Sequence, residues 1–308
     1  MVLRIGTDCS GIEAPIQALQ QLNIPFEHKW ACEIDKFARQ SIEANYKPEK
    51  MYLDITKRKH ALLPDIDMYV CGFPCTPFSL MGAQKGTEDI RSNIMFHCIK
   101  VIQKKLPKFF ILENVKNFKA IQNAEPFNYL INQLEKIKYE GSVAYNVYHH
   151  VLNTKDYGIP QNRERLFIVG VRKDIQVAEY STPDKIQLKN LDDFIIDKTV
   201  CNVEPNNNAV KIINKFNLTS STNNVVSCAG FGNYMRGMSP TLTCNTVYYL
   251  TKYKRYLSPR ECLLLQGFSS EFQQVVSNKQ LHRQAGNSMS VCVLIAIIEK
   301  ICSISLLL

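Results

Sequence analysis

Short apolar runs alternate with stretches of helical periodicity along the first 170 residues, and this alternation restricts the fold more than any other feature of the chain. Apolar residues at helical spacing follow the first run, from Ile12 to Leu22, and a second helix is predicted near Lys36–Asn45. Five runs are predicted to be strands: VLRIGT from Val2, HKWACE ending at Glu33, MYVCG from Met68, FFILEN from Phe109 and RLFIVGV from Arg165. Strands that alternate with helices favour a parallel sheet covered on both faces. The predicted fold class is therefore α/β, with a doubly wound, mostly parallel sheet.

This pattern fades after Lys173. Residues 174–256 are polar and rich in Asn, and we expect an irregular segment there. Helical periodicity returns in SPRECLLLQGF, where Ser258 is a predicted N-cap and Pro259 the first helical residue, and again in a last helix predicted from Ser288. We predict two domains. The catalytic domain comprises residues 1–172 and is completed by 283–308, and a smaller domain comprises residues 173–282.

Composition excludes several other classes of protein. With 308 residues and 45% hydrophobic content, the chain can bury a large core. It has no unbroken apolar run of about 20 residues and no signal peptide, so we expect no membrane span and a cytoplasmic location, or the host nucleus if the chain is viral. Eleven cysteines spread from Cys9 to Cys302, without a matching pair of histidines, favour reduced thiols over a disulfide scaffold or a zinc site. No metal is predicted.

The charge distribution favours a polyanionic partner. The net charge is +9, and Asn206–Arg260 contains seven Lys or Arg residues but no Asp or Glu. The same stretch is rich in Asn, Ser, Thr and Tyr, which contact phosphates and base edges in nucleic-acid complexes. The alternative interpretation is a solvated, loop-rich segment.

The segment GFPCTPFS, Gly72–Ser79, carries the strongest candidate for chemistry. It directly follows a predicted strand, so it lies at the carboxyl edge of the sheet, where α/β proteins place their ligands. Pro74 and Pro77 flank Cys75 and limit where its thiol can point. A buried structural cysteine is the alternative interpretation. We predict that Cys75 is a nucleophile.

Two further segments supply polar groups at strand ends. Glu113 closes the strand FFIL, so its carboxylate can face the same edge as Cys75; a capping or salt-bridged Glu is the alternative. Arg163 and Arg165 alternate just before another strand, which predicts that both point to one side; a solvated strand end is the alternative.

Taken in order, these segments resemble the DNA cytosine-C5 methyltransferase family. The similarity rests on GFPCTPFS with the downstream QKGTEDIRSN, then ENV, QNRER, SPREC and QAGNSMS, and it covers nearly the whole chain outside about 174–235. The resemblance implies the fold of S-adenosylmethionine-dependent methyltransferases, with a smaller target-recognition domain. The Asp-Pro-Pro-Tyr type of motif typical of amino-methylating enzymes is absent from the sequence.

The resemblance implies a role for each catalytic candidate. Cys75 would add to carbon 6 of a cytosine flipped out of the duplex, and Glu113 would hold and protonate N3. Arg165, with Arg163, would contact the base oxygen and orient Glu113. Carbon 5 would then accept the methyl group of S-adenosylmethionine, leaving S-adenosylhomocysteine.

The resemblance also implies a set of residues that bind the methyl donor. Glu33 would bond the ribose hydroxyls, Ile34 would pack on the adenine, and Asp54 and Ile55 would contact the adenine amine and ring. The other implied contacts are Cys9, Ser10, Gly11, Ile12, Glu13, Gly72, Pro74, Ile94, Asn287 and Ser288. The chain departs from the family pattern at three of these positions, where Cys9 replaces a Phe, Glu13 a Gly and Ile34 a Trp.

Double-stranded DNA is the implied partner, with contacts from Ser79, Arg91, Arg236 and Thr241, and we expect a monomer. Two alternatives share the motifs: an RNA enzyme of the same family that acts on a tRNA cytosine, and a non-catalytic DNA-binding relative. The sequence leaves open the target site and whether a cognate restriction endonuclease accompanies the chain.

Overall fold

The computed structural model describes residues 2–74, 94–230 and 232–306. The described chain forms two compact units. Unit 1 comprises Met1–Leu152, Arg165–Pro183 and Leu294–Leu308, and unit 2 comprises Asn153–Glu164 and Asp184–Val293. These bounds differ from the domain bounds expected from sequence, because the segment Asn153–Glu164 and the residues up to Val293 pack within unit 2.

The strands are β1 Leu3–Asp8, β2 Phe26–Cys32, β3 Met51–Tyr52, β4 Met68–Cys71, β5 Phe109–Val115, β6 Lys138–Tyr139, β7 Ser142–Val143, β8 Tyr145–Asn153, β9 Glu164–Arg172, β10 Asn224–Ser227, β11 Tyr234–Arg236, β12 Tyr248–Leu250 and β13 Arg255–Tyr256. The helices are α1 Ala14–Gln21, α2 Lys36–Asn45, α3 Ile94–Lys105, α4 Glu125–Glu135, α5 Asn207–Lys215, α6 Pro259–Leu265, α7 Asn278–Asn287 and α8 Val291–Ser303.

A seven-stranded sheet forms the centre of unit 1. Its strand order is β3-β2-β1-β4-β5-β9-β8, and the first five strands in this order pair in parallel. Strand β9 runs antiparallel to β5. Residues Phe109 to Leu112 of β5 are at most 1% exposed and lie in the core. The predicted α/β class with a mostly parallel sheet is therefore confirmed.

Local sequence signals fix several element ends. Helix α2 has the predicted bounds, and the side chain of Asp35 caps it by accepting hydrogen bonds from the Phe37 and Ala38 amides. Helix α6 begins after Ser258 as predicted, and Ser258 and Glu261 form a reciprocal capping box.

Unit 2 is more regular than its sequence suggests. It contains a four-stranded antiparallel sheet of order β11-β10-β12-β13. Helix α5 packs on this sheet through a small core of Ala209, Ile212, Val226, Cys228 and Tyr249. The expectation of an irregular segment was wrong here because these strands are only two to four residues long, too short for alternation to be recognised.

The chain near the C-terminus divides into two helices. The last helix was predicted from Ser288, but α7 ends at Asn287, the backbone at Ser288 is extended, and α8 begins at Val291. Among the described residues, one stretch, Asn278–Ser303, has the length and hydropathy needed to cross a membrane, and 61% of its most apolar window is buried inside the protein. A buried core helix has the same composition.

Candidate active site

The carboxylate of Glu33 is held rigidly just beyond the end of β2. Its Oε2 accepts a hydrogen bond from the Gly11 amide at 3.2 Å, and its Oε1 accepts one from the Asp35 amide at 3.0 Å. Burial raises the pKa of Glu33, although these backbone hydrogen bonds act in the opposite direction. The adjacent Ile34 is 75% exposed. A fixed acceptor beside an exposed apolar side chain fits a ribose diol with a purine ring.

Asp54 and Ile55 have local structural roles. Asp54 Oδ1 accepts hydrogen bonds from the amide and the hydroxyl of Thr56, at 2.8 and 2.7 Å, and caps the short 3₁₀ helix Ile55–Lys57. Burial favours the neutral carboxyl, but these bonds outweigh it, and the pKa of Asp54 is lowered. Ile55 is buried in the core of unit 1. A contact of either residue with adenine stays a prediction.

The turn after β1 has positive backbone angles at alternate residues and three buried side chains. Cys9, Gly11 and Glu13 all have positive φ, at 49°, 65° and 64°. Ile12 is fully buried, and the Glu13 carboxylate accepts hydrogen bonds from Thr7 and Ser10 inside the core. The side chains of Ser10, Ile12 and Glu13 therefore face the interior, and any contact of this part of the turn with a ligand involves its backbone.

Glu13 belongs to a buried polar group beneath that turn. Its Oε1 lies 2.7 Å from Thr7 Oγ1, 2.6 Å from Ser10 Oγ and 3.9 Å from His28 Nε2. Burial raises the pKa of Glu13 to about 7 and lowers the pKa of His28 to about 4. The Glu13 carboxyl, which stands where the family has glycine, is thus buried in the core.

A carboxylate and a guanidinium meet on the antiparallel neighbours β5 and β9. Glu113 Oε1 lies 3.3 Å from Arg165 Nε, and these side chains are 12% and 17% exposed. Burial lowers the pKa of Arg165, and the negative charge of Glu113 opposes that shift. The structure thus brings together the predicted acid and the cation predicted to orient it.

Strand β5 also holds the backbone that leads to position 75. The side-chain amide of Asn114 donates a hydrogen bond to the Phe73 carbonyl at 3.0 Å. The Phe73 ring is buried and packs edge-on against Phe118, with the centroids 5.4 Å apart. Sequence reasoning missed this role of Asn114, although an amide at the end of a buried strand is a signal for such a bond. Cys75, Ser79 and Arg91 lie outside the described residues.

The other implied methyl-donor positions of unit 1 flank that same segment. Gly72 and Pro74 surround Phe73, with Pro74 exposed and Gly72 partly buried. Ile94 begins α3 and packs against the core of unit 1.

Arg163 has different partners from Arg165. It is 3% exposed, and its terminal nitrogens donate to the carbonyls of Leu242, Gly286 and Ser288 at 2.7, 3.3 and 2.7 Å. The prediction placed both arginines just before the strand and pointing to one side, but Arg165 lies within β9. Arg163 precedes β9 and instead holds the main chain of unit 2, so the structure gives it a positioning role.

Two segments of unit 2, one at residues 161–162 and one at 241–242, are joined by hydrogen bonds. The Thr241 hydroxyl donates to the Asn162 carbonyl at 2.6 Å, and the Leu242 amide donates to Gln161 Oε1 at 3.0 Å. Gln161 in turn donates to the Leu265 carbonyl at 2.8 Å. Thr241 was predicted to contact DNA, but its hydroxyl serves this internal junction. The central role of Gln161 was not predicted, because its partners are about 80 and 100 residues away in sequence.

The remaining predicted positions of unit 2 differ in exposure. Asn287 is exposed and Ser288 is buried, with the Ser288 hydroxyl donating to the Met289 carbonyl. Arg236 is exposed on the outer strand β11. Contacts of these residues with ligand or DNA stay predictions.

The thiols in the described ranges carry no cross-link. Ten cysteines lie there and all are free. The same ranges contain no group of three or more His, Cys, Asp or Glu side chains placed to hold a metal ion.

The sheet order, together with the groups held at the carboxyl ends of its strands, defines the fold class as that of the S-adenosylmethionine-dependent methyltransferases. The chain belongs to the C-5 cytosine-specific DNA methylase family, whose model matches residues 8–303.

Individual relatives agree with this assignment. The chain is 35% identical to the Type II methyltransferase M.SsoII of Shigella sonnei, over 92% of this chain and 74% of that protein. It is 31% identical to the Type II methyltransferase M.HhaI of Haemophilus parahaemolyticus, over 85% of this chain and 83% of the relative.

Solved structures support the fold. A variant of Spodoptera frugiperda DNMT2 matches with a TM-score of 0.74 at 17% identity, over 97% of this chain and 99% of the other. A putative DNA modification methyltransferase encoded within an E. coli prophage matches with a TM-score of 0.70 at 18% identity, over 98% and 99%. At such low identity these matches show the fold alone.

Proposed function

We propose that this protein is a DNA methyltransferase that transfers a methyl group from S-adenosylmethionine to carbon 5 of cytosine in a specific duplex sequence, with Cys75 as the nucleophile. One observation carries the proposal. Glu113 is paired with Arg165 at the end of β5, and the next residue, Asn114, bonds the backbone two residues before Cys75. An acid, a cation that orients it and the segment leading to a cysteine thus belong to one edge of one sheet.

The chemistry explains why these groups are needed together. Carbon 5 of cytosine is a weak nucleophile, and addition of the Cys75 thiolate to carbon 6 pushes electron density onto the ring. Glu113 supplies the proton that N3 takes up as the thiolate adds, and Arg165 holds the carboxyl in place. After the methyl group is attached, carbon 5 loses its proton to a base, the Cys75–carbon 6 bond breaks to return the thiolate, and N3 returns its proton to Glu113. The base has to leave the helical stack to reach these groups.

The residues near the ends of β1 and β2 fit the methyl donor. When bound, S-adenosylmethionine supplies an activated methyl group. Glu33, fixed by two backbone amides, would accept hydrogen bonds from the ribose hydroxyls. Ile34 offers an exposed apolar surface for the adenine ring. A carboxylate beside an exposed apolar side chain matches the hydroxyls and the ring of an adenosine group.

We also propose that unit 1 performs the chemistry and that unit 2 reads the DNA sequence. The acid-free stretch of unit 2 and the exposed Arg236 support this division. Lysines in that stretch would add affinity that is blind to sequence and weakens with salt. Arg236 can make paired hydrogen bonds to a base edge.

The test is methyl transfer to defined substrates. Purified protein is incubated with labelled S-adenosylmethionine and either duplex DNA or tRNA, and bisulfite sequencing locates the modified cytosines. We expect transfer to DNA at one recurring sequence and a covalent complex with a duplex that carries 5-fluorocytosine, since fluorine cannot leave as a proton.

The variant Cys75→Ala should lose both transfer and covalent trapping while it still binds DNA. Normal turnover by this variant would overturn the mechanism. Transfer to tRNA alone would overturn the DNA assignment and favour the RNA enzyme.

A further inference from the structure

A buried pair of opposite charges lies at the carboxyl end of β1. Asp8 is fully buried; its Oδ1 accepts a hydrogen bond from Trp30 Nε1 at 3.2 Å, and its Oδ2 accepts one from the Tyr69 hydroxyl at 2.6 Å. Arg58 Nη2 donates to the same Oδ2, and the Arg58 side chain is only 5% exposed. Burial alone would lower the pKa of Arg58, but Asp8 outweighs this effect and the pKa is raised.

The sheet is shaped to admit this cluster. Trp30 and Tyr69 are the neighbours of Gly6 on the two adjoining parallel strands. A Cβ atom at Gly6 would lie 2.3 Å from the Trp30 ring, so only glycine lets the indole lie across β1 and reach Asp8. A buried ion pair is no more stabilising than well-packed apolar residues. Stability alone therefore does not explain why the chain buries Asp8 and Arg58 together.

The two charges join the parts of the chain that are proposed to hold the methyl donor. Asp8 directly precedes the turn that begins at Cys9, and Arg58 directly follows the 3₁₀ helix capped by Asp54. The guanidinium carbon of Arg58 lies 5.3 Å from the centre of the Tyr52 ring. The Tyr52 carbonyl accepts a hydrogen bond from the Glu33 amide at 3.1 Å.

We propose that Arg58 is a positioning residue for the methyl-donor site. Through Asp8 it fixes the loop of Asp54 relative to Glu33 and to the turn after β1. In this role it would not touch the reacting atoms. The inference deepens the proposed function and rests on the use of S-adenosylmethionine.

Two variants and a matched control test it. Arg58→Met keeps the length of the side chain and removes the charge, and Arg58→Lys keeps the charge but not the planar donor group. Lys59→Met is the control, because Lys59 is the exposed next residue. Calorimetry gives the Kd for S-adenosylmethionine, thermal unfolding gives Tm, and steady-state methylation separates KM from kcat.

We expect Arg58→Met to raise the Kd and the KM for S-adenosylmethionine at least about tenfold, with kcat at saturating donor within about threefold of wild type. Arg58→Lys should recover part of the affinity, and the control should stay within about twofold.

If Arg58→Met lowers Tm but leaves the Kd within about twofold of wild type, the role is only structural and the proposal is overturned. Should Arg58→Met fail to fold, the double variant Asp8→Leu with Arg58→Met removes both charges and avoids an unpaired buried ion. Wild-type affinity in the double variant would overturn the proposal equally. A wild-type protein that does not bind S-adenosylmethionine would overturn the proposed function and this inference with it.

Discussion

At the scale of single residues, the sequence departures of this chain are compensated by specific partners. Glu13 stands where the family has glycine, and its Oε1 accepts hydrogen bonds from Thr7 and Ser10 inside the core. Asp8 is fully buried at the end of β1, where Trp30, Tyr69 and Arg58 surround it. Polar side chains can occupy this part of the sheet because each has hydrogen-bond partners nearby.

Glu113 offers the most direct test of the chemistry. Glu113→Gln keeps the shape but removes the acidic proton, so we expect kcat to fall by about 10² or more, a typical effect of a lost general acid. Radiolabelled methyl transfer at saturating substrates measures this. Glu135→Gln, an exposed change on α4, is the control. A loss smaller than about threefold would show that another group serves N3.

The buried carboxyl of Glu13 predicts a dependence of stability on pH. Its pKa is raised from 4.5 to about 7, so the folded protein keeps a proton that the unfolded chain releases. Stability should therefore fall as the pH rises from about 4.5 to 7, by ~3 kcal/mol at most. The contribution of His28 has the opposite sign. Because its pKa is lowered to about 4, it destabilises the folded protein as the pH falls below about 6.5.

The variant Glu13→Gln separates these two contributions. Between about pH 4.5 and 6.5 the two contributions oppose each other, so removal of the Glu13 carboxyl should leave a rise in Tm with pH that comes from His28. Thermal unfolding across this range is the measurement, with Glu135→Gln again as the control. An unchanged slope would mean that Glu13 is ionised in the folded protein.

At the scale of elements, strand β5 carries two functions on adjacent residues. Glu113 faces Arg165 of β9, while Asn114 holds Phe73 beyond the end of β4. Side chains on successive strand residues point to opposite faces, so one strand end can serve both a partner strand and a loop. The end of β5 is thus a structural link between the acid and the backbone that precedes Cys75.

That link predicts the effect of Asn114→Leu. The change keeps the volume but leaves the Phe73 carbonyl without its donor, which should cost about 1–3 kcal/mol of stability. Because the segment before position 75 loses its tie to β5, we also expect kcat to fall at saturating S-adenosylmethionine. Chemical denaturation and single-turnover methylation measure the two effects. Full activity in a destabilised variant would contradict the proposed link.

Regular elements of unit 1 could be predicted from sequence because their patterns are long and local. The apolar runs that predicted β1, β4, β5 and β9 and the helical spacing that predicted α2 each span several residues. The short strands of unit 2 lack such a pattern. The pairing of Asp8 with Arg58 could not be predicted, since 50 residues separate them and Arg58 belongs to no motif recognised in the sequence.

The candidate site could also be predicted only in part from the sequence. The motif around Glu113 predicted its contact with Arg165, whereas alternation misplaced Arg163 because the strand begins after it. Hydrophobic pattern says nothing about where an isolated buried polar side chain finds its donors. Those partners emerge only when distant segments come together.

At the scale of the whole molecule, the chain forms two compact units, and we propose that unit 1 performs the chemistry and unit 2 reads the sequence. The family motifs occur in both units, and the resemblance lapses over about 174–235, most of which belongs to unit 2. Relatives that modify different sequences can keep one sheet and vary the other. The small sheet of unit 2 provides a folded support for such variation.

A segment exchange tests this division. Replacing residues 184–256 with the matching segment of a Type II relative of known target should move the methylated sequence to the relative's site. Cys75-dependent trapping should continue, because unit 1 is unchanged. Bisulfite sequencing of DNA from cells expressing each protein gives the result. If the methylated site stays that of the parent, unit 2 does not read the sequence.

The position of Trp30 has a practical consequence for such work. It is the chain's single tryptophan, and its indole is fully buried against Asp8 and close to Arg58. Indole emission depends strongly on polarity and on nearby charge, so the intrinsic fluorescence of this protein comes chiefly from the cluster beneath the turn after β1. Changes in that emission can follow events at one known place in unit 1, without a label and without an engineered probe.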